Sequence, residues 1–534
     1  MKALLWFEIK NRLGRPSSWV YFAIFFLSSF FLAIMFAHAF SGLSINSSLS
    51  DKLALNSPIA LSTLTSSMAY FGILVIAPIF GQSINQDYET KFCNILFATP
   101  IRKSTYFFTR YLASFFSVLV IFIAIGLGFW VATWMPFIDR SMVSDNHLWF
   151  YVAPYLFMII PNTLFFGAIF TAVVSLSKKM APVYITSISI FTGYMISEAL
   201  TKDLPNKFIA ALIEPLGVEG SKQVFQYWSI AQQSSQIIPL TGPFLYNRIL
   251  WLSIGTLFLV GSYLFFNPFK LPKEKKAGFE KANQKKLTIQ PIDVLQTKCY
   301  PKSWKVFWLL AISELKQAFS NIYFLMILLC GVLYIFAVSS YIGRIFGTET
   351  LPVTYHVLEV IGGSFSLFIA IITAYYAGEL IWKDRDRHVH ELIDSKPISN
   401  LFLYLSKVLS LFFLQLLLPI VILVSCVLVQ ICKGYYHFEW NVYFQHIFVY
   451  NVPLYLLTSI SALFIHIVSP NKYIGHAGVV GCWLLILLLA GMQTIHPLYL
   501  PGITPTVMYS DMNAFGTSLR PFITFFFYLA FMFF

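Results

Sequence analysis

Three groups of residues in this 534-residue chain carry charge or donor atoms at spacings that could do chemistry. His388-Val389-His390-Glu391 places two imidazoles and a carboxylate within one short stretch, the residue types that ligate a transition metal. No third ligand stands at a suitable spacing, so the stretch reads as a solvated face. Glu198, His356, Glu359 and His466 lie in or beside long apolar runs, where an ionisable side chain is costly and commonly moves a proton or an ion. All four fall near the ends of their runs, which disfavours a proton- or sodium-driven relay. The third group occurs twice: Asp87, Glu89 and Lys91, then Asp384, Arg385, Asp386 and Arg387. Such charges would be expensive in lipid, so the sequence predicts that they reach water or a partner. The chain has no GxxxxGK[ST] stretch to cradle a nucleotide phosphate and no HExxH pair of zinc ligands.

The third group belongs to a stretch that aligns with itself without a gap. Residues 81–104 read GQSINQDYETKFCNILFATPIRKS, and residues 378–401 read GELIWKDRDRHVHELIDSKPISNL. Gly81 matches Gly378, Asp87 matches Asp384, Ile95-Leu96 match Leu392-Ile393, and Pro100-Ile101 match Pro397-Ile398. Each copy interrupts two apolar runs. In each, a short helix across the membrane surface is predicted, stopped by its proline. A rigid charged lever between two spans is suited to passing on the movement of a soluble motor. The expected coupling residues are Asp87, Glu89, Pro100, Asp384, Arg385, Asp386 and Pro397.

The elements that must hold these levers are helices in lipid. Hydrophobic residues make up 58% of the chain and charged residues 11%, too apolar for a water-soluble surface. Runs of about 20 apolar residues recur, each able to cross the hydrocarbon as a helix. Predicted spans lie near 19–40, 60–84, 106–134, 150–176, 182–200 and 249–266, then near 322–342, 357–382, 401–429, 447–468 and 475–492. A last run starts at Pro521 and is expected to be a span cut short. Pro154 and Pro161 predict a kinked or split fourth span. The segment 201–246 is expected to lie on the outer surface.

Residues 1–17 suit an amphipathic interfacial helix, and SELKQAF (313–319) aligns with FEIKNRL (7–13), so Glu314 corresponds to Glu8 and Lys316 to Lys10. The pattern therefore restarts. The predicted fold is all-α: a polytopic helical membrane protein of two parallel repeats of about six transmembrane helices. The first repeat is 1–268, a basic linker is 269–306, and the second repeat is 307–534. The linker holds ten lysines, and the net charge of +13 is expected to follow the positive-inside rule, with the N-terminus and linker cytoplasmic. That placement argues against a nucleic-acid partner. The six cysteines form no CxxC pair and suggest neither disulfide nor metal.

An interfacial helix, two spans, a charged segment ending in ATPI or SKPI, and four more spans resembles the permeases of type-2 ABC exporters, here twice over. IEPLG (213–217), QYW (226–228), NRILWL (247–252) and YSDMNAFG (509–516) further resemble the membrane half of bacterial proteins that fuse such a duplicated permease to a zinc aminopeptidase. The resemblance implies a transport component of the bacterial inner membrane, itself no enzyme, that moves an unidentified substrate by alternating access. It implies a cytoplasmic ATP-binding subunit in two copies, carrying ATP and magnesium, with no cofactor in this chain. It also allows a peptidase domain as a partner. The alternative is a non-transporting anchor or scaffold for a downstream peptidase.

Overall fold

The computed structural model describes residues 2–38, 53–201, 206–269, 303–339, 342, 344–345, 348–386, 389–395, 399–491, 509–516 and 522–524. It is helical throughout, apart from a two-residue antiparallel pairing of β1 (Arg344–Ile345) with β2 (Thr348–Glu349). Most of the linker and of the final apolar run lies outside the described residues.

The chain begins with α1 (Lys2–Leu13), then α2 (Pro16–Phe36), α3 (Pro58–Glu89), the single turn α4 (Cys93–Leu96) and α5 (Lys103–Ala132). Proline opens α2 and α3, where its missing N–H costs nothing, and Ser57 Oγ accepts from Ala60 N at 3.3 Å to cap α3. Next come α6 (Leu148–Pro154) and α7 (Ile160–Ser177), joined by a π-helical turn over Tyr155–Ile159. The kink predicted from Pro154 and Pro161 is thus a widened turn, which frees the carbonyls that a proline cannot engage. The first set ends with α8 (Met180–Thr201), the short α9 (Lys207–Ile213), α10 (Val218–Phe225) and α11 (Ile230–Ser235), then α12 (Gly242–Phe265).

The second set is α13 (Ser303–Phe319), α14 (Ile322–Val338), α15 (Thr354–Asp386), the short α16 (His390–Asp394), α17 (Asn400–Cys432), α18 (Trp440–Phe444), α19 (Val452–Val468) and α20 (Lys472–Gly491). A π-helical stretch over Gln445–Asn451 again precedes a proline, Pro453. Among the described residues nine helices are long and apolar enough to cross a membrane, and the pair α13–α14, bent by 60°, could supply a tenth.

Two boundaries differ from expectation. α3 runs on through Asp87 to Glu89, and α15 through Asp384 to Asp386, so the first third of each charged stretch is the end of a span. The helices continue because the neighbouring helices neutralise their charges, as described below.

Phenylalanine fills the first core: Phe80, Phe107, Phe122, Phe129, Phe166 and Phe170 are all buried. The second core centres on Phe324, Phe365, Tyr376, Leu411 and Leu418. Elsewhere apolar side chains face outward in helical stripes, such as Phe116, Val120, Ile123, Leu127 and Trp130 on α5, the pattern of a surface solvated by lipid. The two sets meet reciprocally, α8 against α14 and α2 against α20. Tyr184 and Tyr323 mark the first contact, their rings edge-to-face at 6.0 Å.

Candidate functional site

The charged residues gather at one end of the helices in two junctions. In the first, α1 lies across the end of α3 and the start of α5. Arg110 is central: its guanidinium reaches Asp87 at 2.7 Å and Glu8 at 2.7 Å. Tyr106 donates its hydroxyl to Asp87 Oδ2 at 2.7 Å. Arg12 sits over Glu8 at 3.6 Å and donates to Ser114 Oγ at 2.7 Å and Ile79 O at 3.3 Å. Burial pushes the Arg12 guanidinium down to about 10, against the upward pull of Glu8, so it stays charged at neutral pH. This is a closed network in which every charge has a partner, as a low-dielectric site demands.

The same end collects the C-terminus of α12. Lys178 Nζ donates to Asn267 O at 2.5 Å and lies over the Tyr88 ring, whose hydroxyl donates to Pro268 O at 2.9 Å. Lys103 Nζ reaches Leu264 O at 3.3 Å. These donors satisfy carbonyls that a helix end leaves free and oppose its dipole.

The second junction is looser. Lys383 joins Glu314 at 2.5 Å and Gln317 at 2.9 Å, Lys407 joins Asp384 at 3.0 Å, and Lys472 reaches Glu379 at 3.2 Å and Asp386 at 3.5 Å. Asp384 stands where the gapless alignment has Asp87, and the same register carried six residues past its end sets Lys407 opposite Arg110. Side-chain exposure of the pair rises from 15% and 7% to 16% and 22%.

The predicted coupling residues divide accordingly. Asp87 does not reach water: it is 5% exposed and tied to Tyr106 and Arg110. Glu89 and Pro100 are exposed, with Asn85 donating to Glu89 at 2.8 Å. Asp384 is half-buried, Arg385 is exposed with its guanidinium over the Trp382 ring at 4.9 Å, and Asp386 is exposed. Pro397 lies outside the described residues. Between the charged ends, α4 and α16 cross as single turns. They present apolar side chains that the charge pattern passed over: Phe92 (45% exposed) and Ile95 (67%) on one, Val389 (38%) and Leu392 (66%) on the other. Phe92 aligns with Val389 and Ile95 with Leu392. Short apolar runs bounded by charge, 92–97 (FCNILF) in the first copy and Val389 with Leu392-Ile393 in the second, were the available signal.

At the opposite end of α12, IEPLG and NRILWL form one buried polar knot. Glu214 accepts from Leu216 N at 3.1 Å and Glu219 N at 3.0 Å, and burial pushes its carboxyl up to about 6 despite those bonds and Arg248. Arg248 donates to Asn162 Oδ1 at 2.9 Å and Pro215 O at 3.1 Å, and Asn247 donates to Ala211 O and Glu214 O at 2.6 Å. Gly217 has φ +80°, and a Cβ there would meet the Arg248 guanidinium at 2.0 Å. The motif thus fixes α9 and α10 onto α12 and α7.

Of the other ionisable residues, Glu359 is exposed in the wall of a mainly apolar cavity of about 410 Å³ that also includes His446 and Trp483. His466 is fully buried, accepts from Trp382 Nε1 at 3.3 Å and packs on His476 at 4.7 Å. His356 is half-buried. The Glu198 side chain and His388 lie outside the described residues. Among the described residues no three His, Cys, Asp or Glu side chains converge as metal ligands.

Residues 315–479 match the family model of the ABC-2 family transporter proteins. The match runs from within α13 into α20 and includes Lys383, Asp384, Lys407 and Lys472. It supports an ABC-2 type permease, a transport component and not itself a catalyst, in a multi-pass membrane protein. Such permeases in general work with an ATP-binding subunit. No curated protein matches the chain.

Proposed function

We propose that this chain supplies both permease repeats of an ATP-driven exporter of the bacterial inner membrane in one polypeptide. Two copies of a separate cytoplasmic ATP-binding subunit dock on α4 and α16, with ATP and magnesium held by that subunit. The substrate moves by alternating access between the two sets of helices, and the N-terminus is cytoplasmic.

The observation that carries this reading is the matched pair of exposed apolar turns, Phe92 with Ile95 and Val389 with Leu392, at corresponding positions beside the charged junctions. An apolar side chain exposed on a water-facing turn loses free energy there and regains it in a partner's pocket. The buried network around Arg110 ties α1, α3 and α5 together where α3 leads into that turn, so force on the turn moves whole helices rather than a loop.

The test is co-purification of the ATPase with tagged chain from its host in mild detergent, beside the double variant Ile95→Asp and Leu392→Asp. If each turn is an interface anchor, the variant loses about 2 kcal/mol or more per site and the ATPase with it. Recovery of the ATPase in undiminished amount would refute the docking assignment. Recovery of no ATPase even by the native chain would move the reading to the peptidase scaffold.

A further inference from the structure

The second junction leaves a cavity of about 650 Å³ between α13 and α15 where the first leaves about 60 Å³, with Ala318 in the place of Arg12. Its carboxylates are answered, Glu314 by Lys383 and Glu379 by Lys472. Glu359 is not. It lies in the second turn of α15, exposed and without an ion pair among the described residues. It stands in the wall of the mainly apolar cavity of about 410 Å³ between α15, α19 and α20. No lysine or arginine is among the described residues that line this cavity, so the charge of its wall is negative. An ionisable side chain in a span commonly marks a binding site or a pathway.

Two more polar atoms in the same wall lack partners. Nδ1 of His446 and Nε1 of Trp483 are buried and make no hydrogen bond among the described residues. A buried indole N–H usually finds an acceptor, so its lack of one here calls for a ligand atom or water.

The cavity follows from the sequence of its walls. On α15 it is lined by Gly362 and Gly363, and a Cβ at either position would meet nothing within 4 Å. The π-helical stretch Gln445–Asn451 carries His446 and Asn451. Residues five apart point to different faces of an α-helix, but the wider π-turn brings them round to one side. Both line the cavity. The counterpart helices of the first set are closed. The register of the gapless match, carried back along α3 and α15, sets Ser62 in the place of Glu359, Thr65 of Gly362 and Ser66 of Gly363. There α3 packs on α8 through Tyr70, whose ring lies 4.2 Å from that of Phe191 and 4.8 Å from that of Tyr194. The Tyr70 hydroxyl donates to Phe191 O at 2.9 Å.

We propose that the cavity beside Glu359 binds a lipophilic organic monocation, an amine or onium centre on an apolar body. The cationic centre sits against Glu359 and the Trp483 indole, and the body lies along Leu454 and Ile486. Carboxylate and aromatic ring both attract a cation, and the volume falls within the roughly 300–1,000 Å³ that holds drug-sized molecules. A phospholipid fits poorly, because its phosphate would meet Glu359 with no lysine or arginine of the described wall to receive it. That such a molecule is the exported substrate rests on the exporter reading; its binding does not.

Isothermal titration of the full chain in a neutral detergent tests this. The probes are tetraphenylphosphonium and, in a separate titration, tetraphenylborate, which has nearly the same shape and the opposite charge. Each is corrected for uptake by empty micelles. The native chain is expected to bind the phosphonium saturably at one site and the borate not at all. Glu359→Gln is expected to weaken phosphonium binding roughly tenfold, the loss of one charge–charge attraction. Gly363→Phe, which fills the space, is expected to abolish it. Both variants should melt as the native chain does, since Glu359 makes no ion pair and Gly363 adjoins open space. Equal binding of the borate, no saturable binding of the phosphonium, or binding unchanged in both variants would overturn the assignment. The native chain's choice between the two probes decides the matter even if a variant fails to fold. The titration involves neither the ATPase nor transport, so it can fail while docking on α4 and α16 holds, and the reverse.

Discussion

Asp87 and Asp384 share an alignment position and differ in what surrounds them. Asp87 and Glu8 both depend on Arg110, inside a junction that excludes water. Removing that cation strands buried Asp87, which keeps only the Tyr106 hydroxyl, and leaves Glu8 with Arg12 at 3.6 Å, a loss that costs about 3–5 kcal/mol in sites of this kind. Lys407 serves one carboxylate, Asp384, at a half-open site where water can take its place. Arg110→Ala is therefore expected to lower the thermal stability of the detergent-solubilised chain strongly, and Lys407→Ala by about 1 kcal/mol or less. Equal shifts in the two melting curves would show that the first junction is wetter than its packing indicates. Arg110→Lys should recover only part of the loss, since an ammonium cannot fork between Glu8 and Asp87 as a guanidinium does.

Helices in lipid gain little from the hydrophobic effect against each other and hold by close approach. α2 and α5 show how close. A Cβ on Gly128 would lie 2.0 Å from Ser29 Oγ, 2.6 Å from Phe26 O and 3.0 Å from Phe30 N. Two of those atoms are backbone and cannot step aside. Gly128→Ala is thus expected to push the helices apart at a cost of roughly 1–3 kcal/mol, read as a lower melting temperature. Gly126, two residues away, has open space around its Cβ position and serves as the control: its alanine variant should keep the stability within about 0.5 kcal/mol of native, read as a nearly unchanged melting temperature. The short turns α4 and α16 belong to the same scale. Neither buries enough to be stable alone, so each is held by the spans on either side, as a transmitting element requires.

Over the whole molecule, the pairing of α8 with α14 and of α2 with α20 makes the two sets of helices mutually dependent. Each set lends its fifth long helix to the first helix of the other. Cysteines at Tyr184 and Tyr323, in a background freed of native cysteine, are expected to cross-link within one chain under mild oxidation, through a short bifunctional thiol reagent if not directly, because their rings stand 6.0 Å apart. If the sets slide against each other during transport, locking this contact should stop the cycle and leave ATPase docking on α4 and α16 intact. Failure of both the oxidant and the reagent to cross-link the pair would refute this packing.

Hydropathy alone settled that the chain is a bundle of membrane helices, because lipid leaves a polar backbone few alternatives to the helix. The gapless match of 81–104 with 378–401 likewise placed the two turns, since Pro100 and the flanking apolar runs are local signals. Which residues those turns offer was not local. Charge in the sequence suggested that Asp87 faces outward, but Arg110 lies 23 residues further on, and only packing brings it to 2.7 Å. With Asp87 neutralised inside, the outward face falls to Phe92 and Ile95, which composition would have buried. The exchange of Arg12 for Ala318 is visible in the aligned sequences, but whether the neighbours would close over the smaller side chain is not. Volume left by a missing side chain depends on every surrounding atom, and here the fold kept the space open, about 650 Å³ against about 60 Å³.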